Sequence, residues 1–324
     1  TGLVLTPRKP PPRGGWPVVV YGHMTTGAAD RCAPTRGTPG HDELRRMQQG
    51  DAVARRLLAA GVAVLRPDFE GLGVPGPHPY LRGRSLGTSM VDMVRAAREV
   101  EPRLGDRWLA AGHSEGAVAA LNAAERSRGA IPGMRLTGVV AFTPVTQMEV
   151  LIQLLQGLPV AGPGVDTLVA LAALILKGHS AEDPAFGRLL LQQGGLSPRA
   201  RRLWPHLEQR CLEGLMRADS WGGLAPGQLL GERGREASRQ LRRSLAAQDV
   251  RHLRFAADLP VRIDMGLLDL VAPAPFTQRL VAGYRRRGVD VTLGRWLAAH
   301  SGVVGGRHAA GPAVEWMLAR LRGR

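Results

Sequence analysis

The pentapeptide Gly112-His113-Ser114-Glu115-Gly116 sets a serine between two glycines, with the apolar run Trp108 to Ala111 before it and the alanine-rich run Ala117 to Glu125 after it. The first run reads as a buried strand and the second as a helix. Ser114 then falls on a sharp strand-to-helix turn, which lifts a hydroxyl above the edge of a sheet. A serine hydroxyl is a weak nucleophile unless a base takes its proton and a third group orients that base. Two later residues answer that need: Asp269, in Gly266-Leu267-Leu268-Asp269, and His300, in Ala298-Ala299-His300-Ser301. Each lies just past a β-like run, and the order serine, acid, histidine suits acyl-transfer chemistry at the carboxyl edge of a doubly wound sheet. Asp264 is predicted within its strand as a structural carboxylate. Asp290 opens the last strand, at the wrong end of the sheet. His308 stays open as an alternative base.

Such a site also needs backbone N–H groups aimed at the developing oxyanion. Glu115, the residue after the serine, supplies one. The loop Gly22-His23-Met24-Thr25-Thr26-Gly27 follows a second β-like run and is predicted to supply the other, with Met24 and Thr25 as the candidates. His23, Thr26, His113 and Phe69 are expected to line the substrate site.

These residues need a scaffold that brings distant loops together. Val18–Tyr21, Val62–Leu65, Trp108–Ala111 and Leu136–Phe142 read as strands, and helices over 41–60, around Met90–Ala97 and over 117–125 alternate with them. That alternation implies an α/β fold, a mostly parallel doubly wound sheet with right-handed crossovers. From Pro144 to about Asp258 no strand is legible, and helical apolar runs appear instead. The span is too long for a loop. It is predicted as a helical cap over residues 146–258, inserted before the acid-bearing strand, with residues 1–145 and 259–324 forming the core. Strands over 261–265 and 289–293 and helices over 276–286 and 313–321 complete it. Leu151, Leu154, Leu155, Leu168, Leu171 and Leu174 either form the cap's own core or line a tunnel for an acyl chain.

The chain of 324 residues is 44% hydrophobic, enough for a large core. The longest apolar run, Leu168–Leu176, is too short to span a bilayer. The formal charge of +16 rests almost wholly on arginines spread along the chain, with few aromatics among them. That pattern does not read as a nucleic-acid surface; contact with an anionic lipid surface suits the charge better. Cys32 and Cys211 are too few for a metal site and are either a disulfide or two buried thiols. The opening at Thr1, already strand-like, is expected to belong to a mature or trimmed form.

The chain resembles the secretory lipase family of α/β-hydrolases, in particular its actinobacterial lipase/esterase members. The resemblance rests on Gly22–Gly27 with Ala29-Asp30-Arg31-Cys32-Ala33-Pro34, on Asp68-Phe69-Glu70-Gly71-Leu72-Gly73 with Pro75–Leu81, on Gly112–Gly116, on Gly266-x-x-Asp269 with Pro273, and on His300-Ser301. It implies serine carboxylester hydrolysis of small-molecule or lipid esters, without metal or cofactor, by Ser114, Asp269 and His300. It also implies export or a place in the cell envelope. His23-Met24 departs from the family's usual His-Gly pair in the first loop, and the family's N-terminal strands are largely missing. Acyl transfer or amide hydrolysis by the same residues, and a non-catalytic lipid- or partner-binding protein, remain the other readings. Oligomeric state is not legible.

Overall fold

Val18-Val19-Val20, Leu109-Ala110-Ala111 and Val139-Val140-Ala141 are apolar at successive positions, the pattern of strands covered by helices on both faces. In the computed structural model, which describes residues 1–127 and 130–323, these runs lie at the centre of one seven-stranded sheet. The strands are β1 (Gly2–Leu5), β2 (Trp16–Gly22), β3 (Ala63–Pro67), β4 (Leu104–His113), β5 (Arg135–Phe142), β6 (Val261–Gly266) and β7 (Val291–Trp296), in the order β1-β3-β2-β4-β5-β6-β7. β1 runs antiparallel to β3 at one edge, and every other pairing is parallel.

Before β5 lie α1 (Leu44–Met47), α2 (Asp51–Ala59), α3 (Gly83–Val100) and α4 (Glu115–Arg126). α3 and α4 cover one face through Leu86, Met90, Val94 and Leu121, whereas α2 covers the other through Val53 and Leu57. The predicted helix over 41–60 is corrected to two helices with a break at 48–50. Gly50 lies against the Tyr21 ring, which leaves no room for a side chain there and draws the backbone inward.

Between β5 and β6 the described chain adds no strand to the sheet and forms α5 (Met148–Leu155), α6 (Val165–Glu182), α7 (Pro184–Leu191), α8 (Pro198–Arg202), α9 (His206–Gln209), α10 (Leu212–Leu215) and α11 (Gly234–Ala247), with short 3-10 turns and an isolated antiparallel bridge between Leu196 and Leu230. α6 is apolar nearly all round, and Val169, Ala170, Leu171, Ala173, Leu174 and Ile175 are all buried, so it forms the axis of this part. α7 starts sharply because the Asp183 carboxylate accepts from the Ala185 and Phe186 amides, both at 3.0 Å, with Pro184 at the first helical position.

The remaining helices are α12 (Ala274–Arg286), on the α3–α4 face, and α13 (Ala310–Leu321), on the α2 face. Most elements run a few residues beyond or short of their expected bounds, and at two boundaries the cause is local. β7 starts at Val291 and not Val289, because Gly288 turns the chain with a positive φ and the Val289 amide donates to Tyr284 O, closing the end of α12. α13 begins at Ala310 and takes Pro312 into its first turn, where the missing N–H costs nothing.

Cys32 and Cys211 form a disulfide across 179 residues of chain. It ties the loop after β2 to the helical part. The tie is reinforced by the Leu212 amide donating to Thr26 O at 2.9 Å and the Glu213 amide donating to the Glu43 carboxylate at 2.8 Å.

His179 on α6 is 4% exposed, and neither of its ring nitrogens has a hydrogen-bond partner among the described residues. Burial, helped by the Arg82 charge and opposed by Asp183, pushes its pKa down from 6.5 to about 3. The unfolded chain therefore binds a proton between those values that the folded protein refuses, so the stability is present above pH 6.5 and is lost as pH falls toward 3. Denaturant unfolding should show ~2 kcal/mol less stability at pH 5 than at pH 7 from this residue. His179→Leu should remove that loss. An equal loss in both proteins would assign the acid sensitivity to other groups.

Candidate active site

The sheet order places β4 beside β2, where the winding reverses, so the loops leaving these two strands open a crevice between them. Gly22 at the end of β2 pairs with Gly112 near the end of β4, which sets both loops at one level. A Cβ on Gly112 would run into the Gly116 carbonyl, and one on Gly116 into the Gly22 carbonyl. Glycine at both places lets α4 start hard against β2. Between them Ser114 is held at φ +58°, a conformation costly for a residue with a Cβ. Its amide donates to Phe142 O at 2.9 Å, fixing the turn to β5.

The loops after β6 and β7 bring up the other two groups. His300 Nε2 lies 2.8 Å from Ser114 Oγ, and its Nδ1 lies 2.7 Å from Asp269 Oδ2. The other oxygen of Asp269 accepts from the Val271 and Ala272 amides, both at 2.8 Å. Those two bonds fix the carboxylate's aim at the imidazole. Since Asp269 can only accept, the proton belongs on Nδ1, and Nε2 is free to accept from the serine.

Asp264 is fully buried in β6, and its carboxylate is filled by the Arg262 guanidinium (two contacts of 2.8 Å) and by Trp296 Nε1 at 2.9 Å. Asp290 ends on the opposite edge of the sheet, its carbonyl accepting from the Val261 amide. His308 Nδ1 is bonded to Gly302 O at 3.0 Å, and its ring meets Trp296 edge-on.

Glu115 occupies the first position of α4, where the helix cannot pair its own amide. Met24 and Thr25, on the loop after β2, are buried, and Thr25 Oγ1 lies 2.8 Å from the Tyr80 hydroxyl. The four residues expected to line the substrate site are all buried. His113 Nε2 donates to the His300 carbonyl at 3.1 Å, and with burial and the neighbouring His300 both lowering its pKa well below 6.5, it stays neutral. Phe69 stacks on the His23 ring at 4.4 Å, and His23 Nδ1 is bonded to Met24 O at 2.7 Å. Thr26 contributes its carbonyl to the contact with Leu212.

One pair went unforeseen. His78 Nε2 lies 2.9 Å from the Glu115 carboxyl, with both side chains buried. His78 comes from the proline-rich loop Pro75–Leu81, where its histidine carries no spacing signal. Among the described residues the one cluster with three ligand-type groups, His41, Asp42 and Cys211, has its sulfur committed to the disulfide.

A model of the secretory lipase family matches residues 44–324. The chain belongs to the secretory lipase family. As a member it is a carboxylic ester hydrolase of the lipase and esterase kind. Its fold is shared with solved structures of low sequence identity. Candida antarctica lipase A in its closed state superposes with a TM-score of 0.78 at 17% identity, over 99% of this chain and 73% of that one. A putative hydrolase from Legionella pneumophila gives 0.72 at 18% identity, over 99% and 84%. A rice cell wall degrading esterase from Xanthomonas oryzae gives 0.68 at 19%, over 99% and 82%. A search of curated proteins returns no match. No helix among the described residues is long and apolar enough to cross a membrane.

Proposed function

We propose that Ser114, His300 and Asp269 are the catalytic triad of this esterase or lipase and that it works through an acyl-enzyme. The observation that carries the reading is the continuous hydrogen-bonded chain from Ser114 Oγ through His300 to Asp269. Ser114 Oγ attacks the ester carbonyl as His300 Nε2 takes its proton. The oxyanion is held by the Glu115 amide and by an amide of the 23–27 loop, with Met24 and Thr25 the candidates. The same proton passes to the leaving alcohol, and water then repeats the sequence on the acyl-serine. Asp269 holds the imidazole in the accepting tautomer, and His113 steadies the backbone of His300 through its carbonyl. Labelling of Ser114 by a fluorophosphonate probe tests this, since labelling needs an activated serine.

The helical part, residues 146–258, acts in this reading as a cap. An apolar cavity of about 80 Å³ lies between it and the loop after β6, walled by Leu151, Leu155, Leu168, Leu171 and Val271. Val271 stands two residues from Asp269, which supports the cavity as a channel for the acyl chain. Leu174 is instead packed in the core, and Leu154 is exposed. Leu267, Leu268, Leu270 and Leu297 are also exposed, on the two loops that carry Asp269 and His300. With the charge of +16, they form a face suited to an anionic lipid surface. The Cys32–Cys211 disulfide suits an oxidising compartment, in keeping with export.

Ester series, dissolved and emulsified, read both features. kcat/KM should climb beyond butyrate by up to about fourfold per buried methylene, and Leu171→Phe should move the optimum to shorter acyl groups. Leu268→Gln with Leu270→Gln should slow emulsified esters more than dissolved ones. A peak at acetate or butyrate, with Leu171→Phe changing stability only, would make the cavity mere packing. Equal slowing on both substrates would remove the lipid face.

A further inference from the structure

Glu115 does two things at one residue. In the reading above its amide faces the oxyanion, while its side chain lies buried beneath, with His78 as the one protein partner of the carboxyl among the described residues. An ionised carboxylate left alone there would oppose the negative charge that the amide has to stabilise. The state of this pair therefore bears on catalysis.

Hydrogen-bond arithmetic sets that state. His78 Nδ1 lies 2.8 Å from the Glu70 carbonyl oxygen, which can only accept, so Nδ1 carries a proton. Nε2 lies 2.9 Å from Glu115 Oε1. If Nε2 were bare and the carboxyl ionised, two lone pairs would face each other at hydrogen-bond distance. One more proton must sit between them, as imidazolium with carboxylate or as neutral imidazole with carboxylic acid. Both forms have no net charge. We propose that His78 is a positioning residue for the oxyanion site, holding the Glu115 side chain in place and keeping the pair without net charge through a shared proton.

The surrounding groups leave this role to His78. His23, on the loop after β2, is pushed below the usual histidine range mainly by burial, so it brings no positive charge. Tyr80 is held protonated by burial and by the nearby Glu115. Asp68 is acidic and already engaged by Thr1 and Thr35. No lysine or arginine is hydrogen-bonded or ion-paired to Glu115 among the described residues.

This inference rests on Glu115 being an oxyanion donor, and its test separates the two ideas. His78→Gln keeps a side-chain N–H for Glu115 Oε1 but brings no proton. Its kcat should fall by about 10–100-fold at pH 8, with KM moved less than about threefold, and the loss should ease at lower pH as the lone carboxyl takes a proton. Adding Glu115→Gln to His78→Gln removes the charge and should restore at least about tenfold of kcat at pH 8 and abolish the new pH dependence. A double variant no better than the single, or a His78→Gln profile parallel to the wild type, would reduce the pair to scaffolding and overturn the proposal. Should His78→Gln not fold, infrared and ¹⁵N-imidazole spectra of the wild-type enzyme at pH 8 decide, assigned by difference against Glu115→Gln. A protonated carboxyl or an imidazolium supports the shared proton, whereas a carboxylate beside a neutral imidazole overturns it. Failure of the triad itself would show differently, as turnover surviving in Ser114→Ala.

Discussion

Ser114→Ala should abolish ester hydrolysis, by ~10⁴-fold or more in kcat, while the protein stays folded. The size of the effect follows from the role proposed for the hydroxyl: without Oγ no acyl-enzyme would form, and His300 and the oxyanion amides would be left to act on water alone. The fold has little to lose. Alanine keeps the Cβ already tolerated at φ +58°, the backbone bond from residue 114 to Phe142 O remains, and one side-chain bond to His300 disappears. Such a bond is worth ~1 kcal/mol, so the melting temperature should hardly move. Initial rates on a soluble ester, with fluorophosphonate labelling of the same samples, make the measurement. Near-normal turnover in a folded Ser114→Ala protein, or labelling that persists, would place the nucleophile elsewhere and end the mechanism.

What the sequence disclosed about this site was local in origin. The turn at Ser114 is written in five neighbouring residues, because Gly112 and Gly116 answer to steric contacts made within the strand-turn-helix unit and the adjoining end of β2. Strands such as Val18–Val20 were legible because burial on both faces leaves a continuous apolar run. The elements that misread are those set by distant partners. The break at 48–50 is imposed by the Tyr21 ring from β2, which no periodicity in residues 41–60 records. The disulfide joins residues 179 apart, so its pairing stayed open until the fold brought the loop after β2 to α10. His78 reaches Glu115 from a proline-rich loop with no spacing rule between them. Asp269 and His300 fall between these cases. Chain order marked them, but only the loops after β6 and β7 bring them within hydrogen-bond reach.

Asp269 and Asp264 lie five residues apart, and their asparagine variants should fail in opposite ways. In Asp269→Asn the side-chain oxygen can still accept from the Val271 and Ala272 amides. The new NH₂ then faces His300 Nδ1 and donates to it. That forces the imidazole proton onto Nε2, so Nε2 donates to Ser114 Oγ where it should accept, and the base is lost. The expected cost is ~10³–10⁴-fold in kcat with a small change in stability. In Asp264→Asn no reacting group is touched. The Arg262 guanidinium, 7% exposed, loses its carboxylate and keeps a buried charge without compensation. Breaking such a pair from one side costs ~3–5 kcal/mol, so yield and melting temperature should drop while turnover per folded molecule stays near normal. Active-site titration with a fluorophosphonate cannot count the Asp269→Asn enzyme, whose serine is no longer activated, so folded protein should be quantified by thermal melts and circular dichroism. A large kcat loss in Asp264→Asn beside a nearly active Asp269→Asn would move the orienting acid into β6.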